Sequence, residues 1–210
     1  MSFISLNFVV LFACTFILYH TLPSRFRKAT LLTASCLFIG FYHLAFLITA
    51  LILTLTTFYL GKWIGQAKRE SGMKGIYFSG VCFLVVSWLA FRYADRLTNC
   101  HILFPLGISF YTFQAISYLT EIYWQEEEPE KSLPDFMIYM LFFMKFLSGP
   151  IERASDMLPQ LKSCKATDYT SMVYGMRLIV VGLIKKLILA DSIAPYIDGV
   201  FGSVYTASGV

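Results

Sequence analysis

Gln114, Ser117 and Glu121 recur at i, i+3 and i+7 along the segment that runs from Phe104 past Leu119, a spacing that lines them up on one face of a helix. An amide, a hydroxyl and a carboxylate in one row can hold a polar substrate or bond across a helix pair. In lipid the stripe must turn inward to find partners, so it is either interhelical glue or the wall of a polar cavity. A second group follows Ser148-Gly149-Pro150, which should stop a helix because proline lacks a donor and restricts the residue before it. Glu152, Arg153 and Asp156 come next, ahead of Pro159-Gln160; by default they form a solvated ion-pair cluster where the helix ends. Lys145, Arg177, Lys185 and Lys186 interrupt otherwise apolar runs, the pair shortly before Asp191. A basic side chain at the centre of a bilayer costs at least ~2.5 kcal/mol, so each needs a polar surrounding or a stem that snorkels to the headgroups.

Other residue types offer less chemistry. His20, His43 and His101 have no carboxylate or cysteine at metal or triad spacing, which points to structural roles. Cys14, Cys36, Cys82, Cys100 and Cys164 show no CxxC pair, so neither a metal site nor a disulfide is expected. GxSxG, HExxH and phosphate-binding glycine loops are absent from the sequence. No residue of the chain is assigned a catalytic role.

The elements that must carry these residues are apolar. Hydrophobic residues make up 57% of the chain and charged ones 14%, against about 25% charged in a soluble domain, and the mean hydropathy is +0.65. A soluble globule of this composition would turn large apolar patches to water. The net charge of +4 sits in short clusters between apolar stretches, a pattern of membrane topology and not of a nucleic-acid surface. The expected fold is an all-α, polytopic integral membrane helical bundle.

Length serves as the ruler, since about 20 apolar residues cross the ~30 Å hydrocarbon layer. Phe3 to Leu22 makes one span, closed by Pro23 and by Arg25, Arg27 and Lys28. No charge interrupts Ala29 to Gly61; this is too long for one helix and should break at Gly40-Phe41-Tyr42-His43. Lys62 to Lys74 reads as a connector and Gly75 to Phe91 as a span closed by Arg92, Asp95 and Arg96. A charge-free run then extends from Leu97 to Thr120. Gln125 to Asp135 is rich in glutamate and proline and should be a solvated loop. Phe136 to Ile151 and Met172 to Ala190 are apolar apart from the residues named above, and no further helix is evident beyond them. Six or seven membrane helices follow, some short or re-entrant. With the clusters at 25–28 and 62–74 cytoplasmic, the positive-inside rule sets the N-terminus outside.

Three segments together resemble the membrane-bound O-acyltransferase family, particularly its bacterial alginate O-acetyltransferase branch: Phe104 to Leu119, Ser148 to Leu161 (SGPIERASDMLPQL) and Gly182 to Ala194 (GLIKKLILADSIA). The opening LYHTLPSRFRKATLLTASCLFIGFY resembles the family more loosely. The resemblance implies a histidine base in a membrane tunnel that passes an acyl group, here acetyl, from a cytoplasmic thioester donor (acetyl-CoA or an acyl carrier) toward a hydroxyl of a cell-surface polysaccharide. It also implies a bacterial inner-membrane location and an extracytoplasmic acyltransferase partner, with no bound cofactor. That histidine follows a tryptophan in the family, and no Trp-His pair occurs here. Residues 1–210 are therefore expected to be the N-terminal portion of a single domain, inactive alone, whose catalytic histidine lies beyond Val210. Gln114, Ser117, Arg153, Asp156, Lys185 and Lys186 are expected to shape or electrostatically support the tunnel. The competing reading is a non-enzymatic transporter or scaffold that uses the same polar stripe.

Overall fold

A computed structural model describes residues 6–67, 69–98, 105, 107–146, 149, 152–163 and 168–207. The secondary structure of these residues is helical throughout, and they divide into two compact units, 1–164 and 165–210.

In the first unit, α1 (Leu6–Thr21) meets α2 (Ser24–Tyr42) at Pro23. The break expected over Gly40-Phe41-Tyr42-His43 falls at His43, whose backbone is extended between α2 and α3 (Leu44–Gln66). Its imidazole Nδ1 accepts the N–H of Ala45 at 3.3 Å, satisfying one of the donors a helix start leaves open. A polar ring in the sequence therefore marks the turn because it caps the returning helix. The connector expected over Lys62 to Lys74 is shorter: α3 runs past Lys62, whose ammonium lies 4.3 Å from the Phe58 ring centroid. The next helix, α4 (Glu70–Thr98), starts ahead of the expected Gly75, with Lys74 paired to Glu70 at 2.6 Å. Charges that looked like loop markers belong to helix ends.

α5 (Ile108–Tyr123) lies against α3, α4 and α6 (Leu133–Leu141). Trp88 donates to Ser109 at 2.9 Å and Tyr77 bonds Thr120 at 3.1 Å, pinning α4 to both ends of α5. α6 is the largest departure from expectation. The run Phe136 to Ile151 holds only the latter part of a nine-residue helix that begins at Leu133 and ends at Leu141, before Ser148-Gly149-Pro150, of which Gly149 alone is described. It starts where Ser132 caps the N–H of Asp135 and Pro134 fits the first turn. After the turn at 142–146 comes α7 (Ala154–Ser163), a helix on the residues expected to form a solvated cluster; it tolerates Pro159 in its interior. The stretch expected as a solvated loop, Gln125 to Asp135, is solvated only in part, because Glu130 is buried and so is Asp135 in the first turn of α6. The core joins α2 through α7 around Phe38, Phe58, Tyr118, Phe136, Tyr139 and Phe143.

The second unit is a helical run: α8 (Tyr169–Ile184) passes through a π-helical segment, Lys185–Ala190, into α9 (Asp191–Ala207). This final helix is a correction, since Pro195, Gly199 and Gly202 had disguised it in the sequence. Among the described residues, two helical stretches are long and apolar enough to cross a membrane, Leu44–Gln66 and Glu70–Tyr93. The other spans counted in the sequence are shorter: α1 and α5 have 16 residues each, or ~24 Å at 1.5 Å per residue.

Candidate functional site

The termination of α6 sets up a polar seam. A helix leaves its last carbonyls without intrahelical partners, and here no proline or glycine at the break supplies a substitute. Instead Gln114 of α5, 5% exposed, donates its amide to the carbonyl of Tyr139 at 2.8 Å. Ser35 of α2 accepts the N–H of Phe143 at 3.2 Å. Two side chains from distant helices thus satisfy backbone groups that the break exposes, in a region where an unmet group costs roughly 1–3 kcal/mol.

The turn after α6 carries Lys145 inward. Its side chain is only 6% exposed; the ammonium is 3.4 Å from Glu152, 3.1 Å from the Met157 sulfur and 4.4 Å from the Tyr139 ring centroid. Snorkelling was one reading of this lysine, and its burial replaces it. The Tyr139 hydroxyl donates to the backbone carbonyl of Glu152 at 3.1 Å, so one tyrosine ties the end of α6 to the start of α7. At the opposite end of the hairpin, Glu130 accepts the N–H groups of Lys131 and Ser132, each at 2.9 Å, and pairs with Lys162 of α7 at 2.6 Å. Tyr118 of α5 accepts the N–H of Glu130 at 3.0 Å. Lys28 of α2 holds Asp135 at 2.7 Å.

Along α5, Ser117 donates to Glu121 at 3.3 Å. Glu121 is 5% exposed, and its second oxygen has no hydrogen-bond partner of good geometry. Arg153 lies within Coulombic reach of that carboxylate, as does the backbone N–H of Ser155 at the start of α7. Gln114, Ser117 and Arg153 therefore come together around Glu121 and Tyr139. Asp156 sits on the exposed surface of α7's first turn, where a carboxylate complements the helix dipole. Lys185 and Lys186 are exposed in the second unit, with Lys186 at 3.3 Å from Asp191.

Sequence reasoning missed four members of the seam as site residues. Glu121 was visible as the third residue of the stripe, and Lys145 as an interruption in an apolar run. Glu152 stood out only as part of an expected solvated cluster, and Tyr139 gave no signal, because its role follows from where α6 stops. These groups can bind, orient and balance charge on a polar molecule. Acyl transfer needs a base or nucleophile in addition.

An all-helical fold with apolar helices around a buried polar seam defines a class of helix-bundle proteins with an internal polar site, and comparison with known proteins narrows it. The chain is 31% identical to a "probable alginate O-acetylase AlgI" of Azotobacter vinelandii and 30% identical to one of Pseudomonas aeruginosa, in each case over 96% of this chain and 44% and 42% of the relative. It is 26% identical to a "peptidoglycan O-acetyltransferase" of Helicobacter pylori over 82% of this chain and 40% of that protein. This likeness supports a place among the O-acetyltransferases, in keeping with the membrane-bound O-acyltransferase family that the sequence resembles. It spans less than half the length of the curated relatives it matches. No family model and no solved structure matches it.

Proposed function

We propose that the chain serves a multi-pass O-acetyltransferase of the bacterial inner membrane, which moves an acetyl group from a cytoplasmic thioester, acetyl-CoA or an acyl carrier, toward a hydroxyl of a cell-surface polysaccharide. The observation that carries this reading is similarity along nearly the whole chain to proteins named for acetylating alginate, joined to a buried polar seam on the segments that carry the likeness. The membrane part is supported by the outward faces of the helices, where Val9, Ile17, Leu37, Ile48, Phe78 and Val86 are exposed at a density water does not favour. In this reading α1 and α5 cross at reduced length, and the α6–α7 hairpin is re-entrant: α6 goes in from the cytoplasmic face, and α7 returns to the same face, where Lys162 meets Glu130.

The role of the seam is support. Gln114 and Ser117 hold the wall, the buried Lys145 is balanced by Glu152 at the exposed edge, and Arg153 presents a cation beside Glu121, where a thioester donor's anionic carrier would approach. The base is not assigned to His20, His43 or His101. Asp156 adds a polar group to the first turn of α7, Lys185 and Lys186 add basic groups to the second unit, and an extracytoplasmic partner finishes the transfer to the polysaccharide. The test is Arg153→Ala in the intact gene product, reading polysaccharide O-acetyl content alongside membrane fractionation. Acetylation should fall while the protein stays in the membrane fraction; unchanged acetylation removes Arg153 from the tunnel.

A further inference from the structure

A groove of about 280 Å³ opens between α1, α2 and the turn after α6. Phe12, Phe16, Tyr19, Leu31, Phe142 and Met144 line it. Thr15 and His20 also face it; the Thr15 hydroxyl is already bonded to the carbonyl of Leu11 at 2.7 Å and the His20 ring lies against Phe16, 4.5 Å between centroids. Water entering such a groove finds few partners, whereas an alkyl chain fits its chemistry.

One end of the groove is cationic. The Arg27 guanidinium stacks 5.3 Å from the ring centroid of Tyr19, a lining residue, and its buried Nε has no hydrogen-bond partner. Arg25 rests on Phe26 at 4.7 Å. Lys28, the third charge of the cluster, is already paired with Asp135; no carboxylate ion-pairs with Arg25 or Arg27 among the described residues. The start of α2 adds backbone N–H groups that no side chain caps, which favours an anion there.

We propose that this groove binds an anionic phospholipid, with one acyl chain lying between α1 and α2 and the phosphate on Arg27 and Arg25. The inference rests on the membrane reading above. Charge complementarity selects the occupant: an apolar slot ending in two unpaired arginines at a helix start matches a molecule with an alkyl tail and a negative head, and a zwitterionic lipid satisfies only the slot. Phe142 and Met144 belong to the turn that carries Lys145, so the bound chain would brace the wall of the seam.

The experiment uses the whole chain purified in a non-ionic detergent, titrated with phosphatidylglycerol or phosphatidylcholine and read by native mass spectrometry and thermal unfolding. Each surface arginine should contribute about fivefold in preference for the anionic lipid. Arg27→Gln should lose about fivefold of that preference and leave phosphatidylcholine binding unchanged. Met144→Trp, at a partly exposed position that leaves the arginines in place, should weaken binding of both lipids by filling the slot. Equal binding of the two lipids to the wild type, or an unchanged preference in Arg27→Gln, overturns the site while leaving the membrane reading intact. A chain that stays monomeric without detergent and binds neither lipid overturns both.

Discussion

At the residue scale, burial separates the polar groups that hold the fold from those that face outward. Asp135 is 5% exposed at its side chain and its cation Lys28 is 34% exposed. Lys28→Met should destabilise by about 1–3 kcal/mol, less than the loss expected for a wholly buried pair because the lysine reaches solvent. Lys28→Met with Asp135→Leu should recover part of that loss, which a double-mutant cycle of thermal unfolding in detergent would measure. Gly107 is a second such position, with φ of +75°, and a Cβ there would collide with the carbonyl oxygen of Phe146. Gly107→Ala should therefore cost at least the ~1–2 kcal/mol of left-handed strain and dislodge the turn that carries Lys145, whereas Gly72→Ala, with nothing near, should be neutral or slightly stabilising in the same melt. The inward turn of Gln114 was legible, because three polar residues at helical spacing in an apolar run can satisfy themselves only on a buried face. Its partner was not, since the Tyr139 carbonyl is free only because α6 ends at Leu141. Glu130 was misjudged for a related reason: among glutamates and prolines nothing local distinguishes the one that reaches Lys162.

At the scale of elements, close approach of helices explains which small residues the bundle requires. A Cβ on Gly61 of α3 would lie 2.7 Å from the Tyr118 ring and 3.0 Å from Ile122 of α5, so the glycine lets the two helices pack at a distance a larger residue forbids. Gly61→Val should cost about 1–3 kcal/mol through overpacking. It should also loosen the bond between Tyr118 and Glu130, seen as faster amide exchange at Glu130; unchanged exchange would mean that the loop is held by Lys162 alone. The end of α5 is strained in the opposite sense. Gln125 adopts φ of 59° without being glycine, the left-handed position that commonly closes helices. Gln125→Gly should raise stability by about 1 kcal/mol, checked by an upward shift of the unfolding midpoint. Runs of apolar residues made α1 through α5 legible, but several ends fall more than a turn from where the runs placed them, at the start of α2, the end of α3 and both ends of α4. α6 and α7 escaped, because an apolar stretch gives no sign of a helix that stops for the sake of Gln114 and Ser35.

At the scale of the whole first unit, contacts decide which loops share a face, and the charges then decide which face it is. α3 has 23 residues, so its ends stand ~34 Å apart, with His43 at one and Gln66 at the other. At the Gln66 end, Gly65 meets the Pro129 side chain, Glu130 holds Lys162 and Asp135 holds Lys28. The start of α2, the loop before α6 and the end of α7 are thereby gathered with the basic residues Arg25, Arg27, Lys62, Arg69 and Lys74, which the positive-inside rule assigns to the cytoplasm. Composition alone predicts an apolar bundle and this orientation, but not the hairpin, because α6 and α7 return to one face through contacts far apart in sequence. Single cysteines in a background without the native ones test the arrangement. Glu128→Cys, beside Pro129, should be protected from a membrane-impermeant maleimide in intact cells and react after permeabilisation, and Phe41→Cys, next to the His43 turn, should react in both. Labelling of both from outside would place the two ends of α3 on one side and exclude the spanning bundle. Labelling of Glu128→Cys alone would invert the topology and put the α6–α7 hairpin on the extracytoplasmic face, away from any thioester donor.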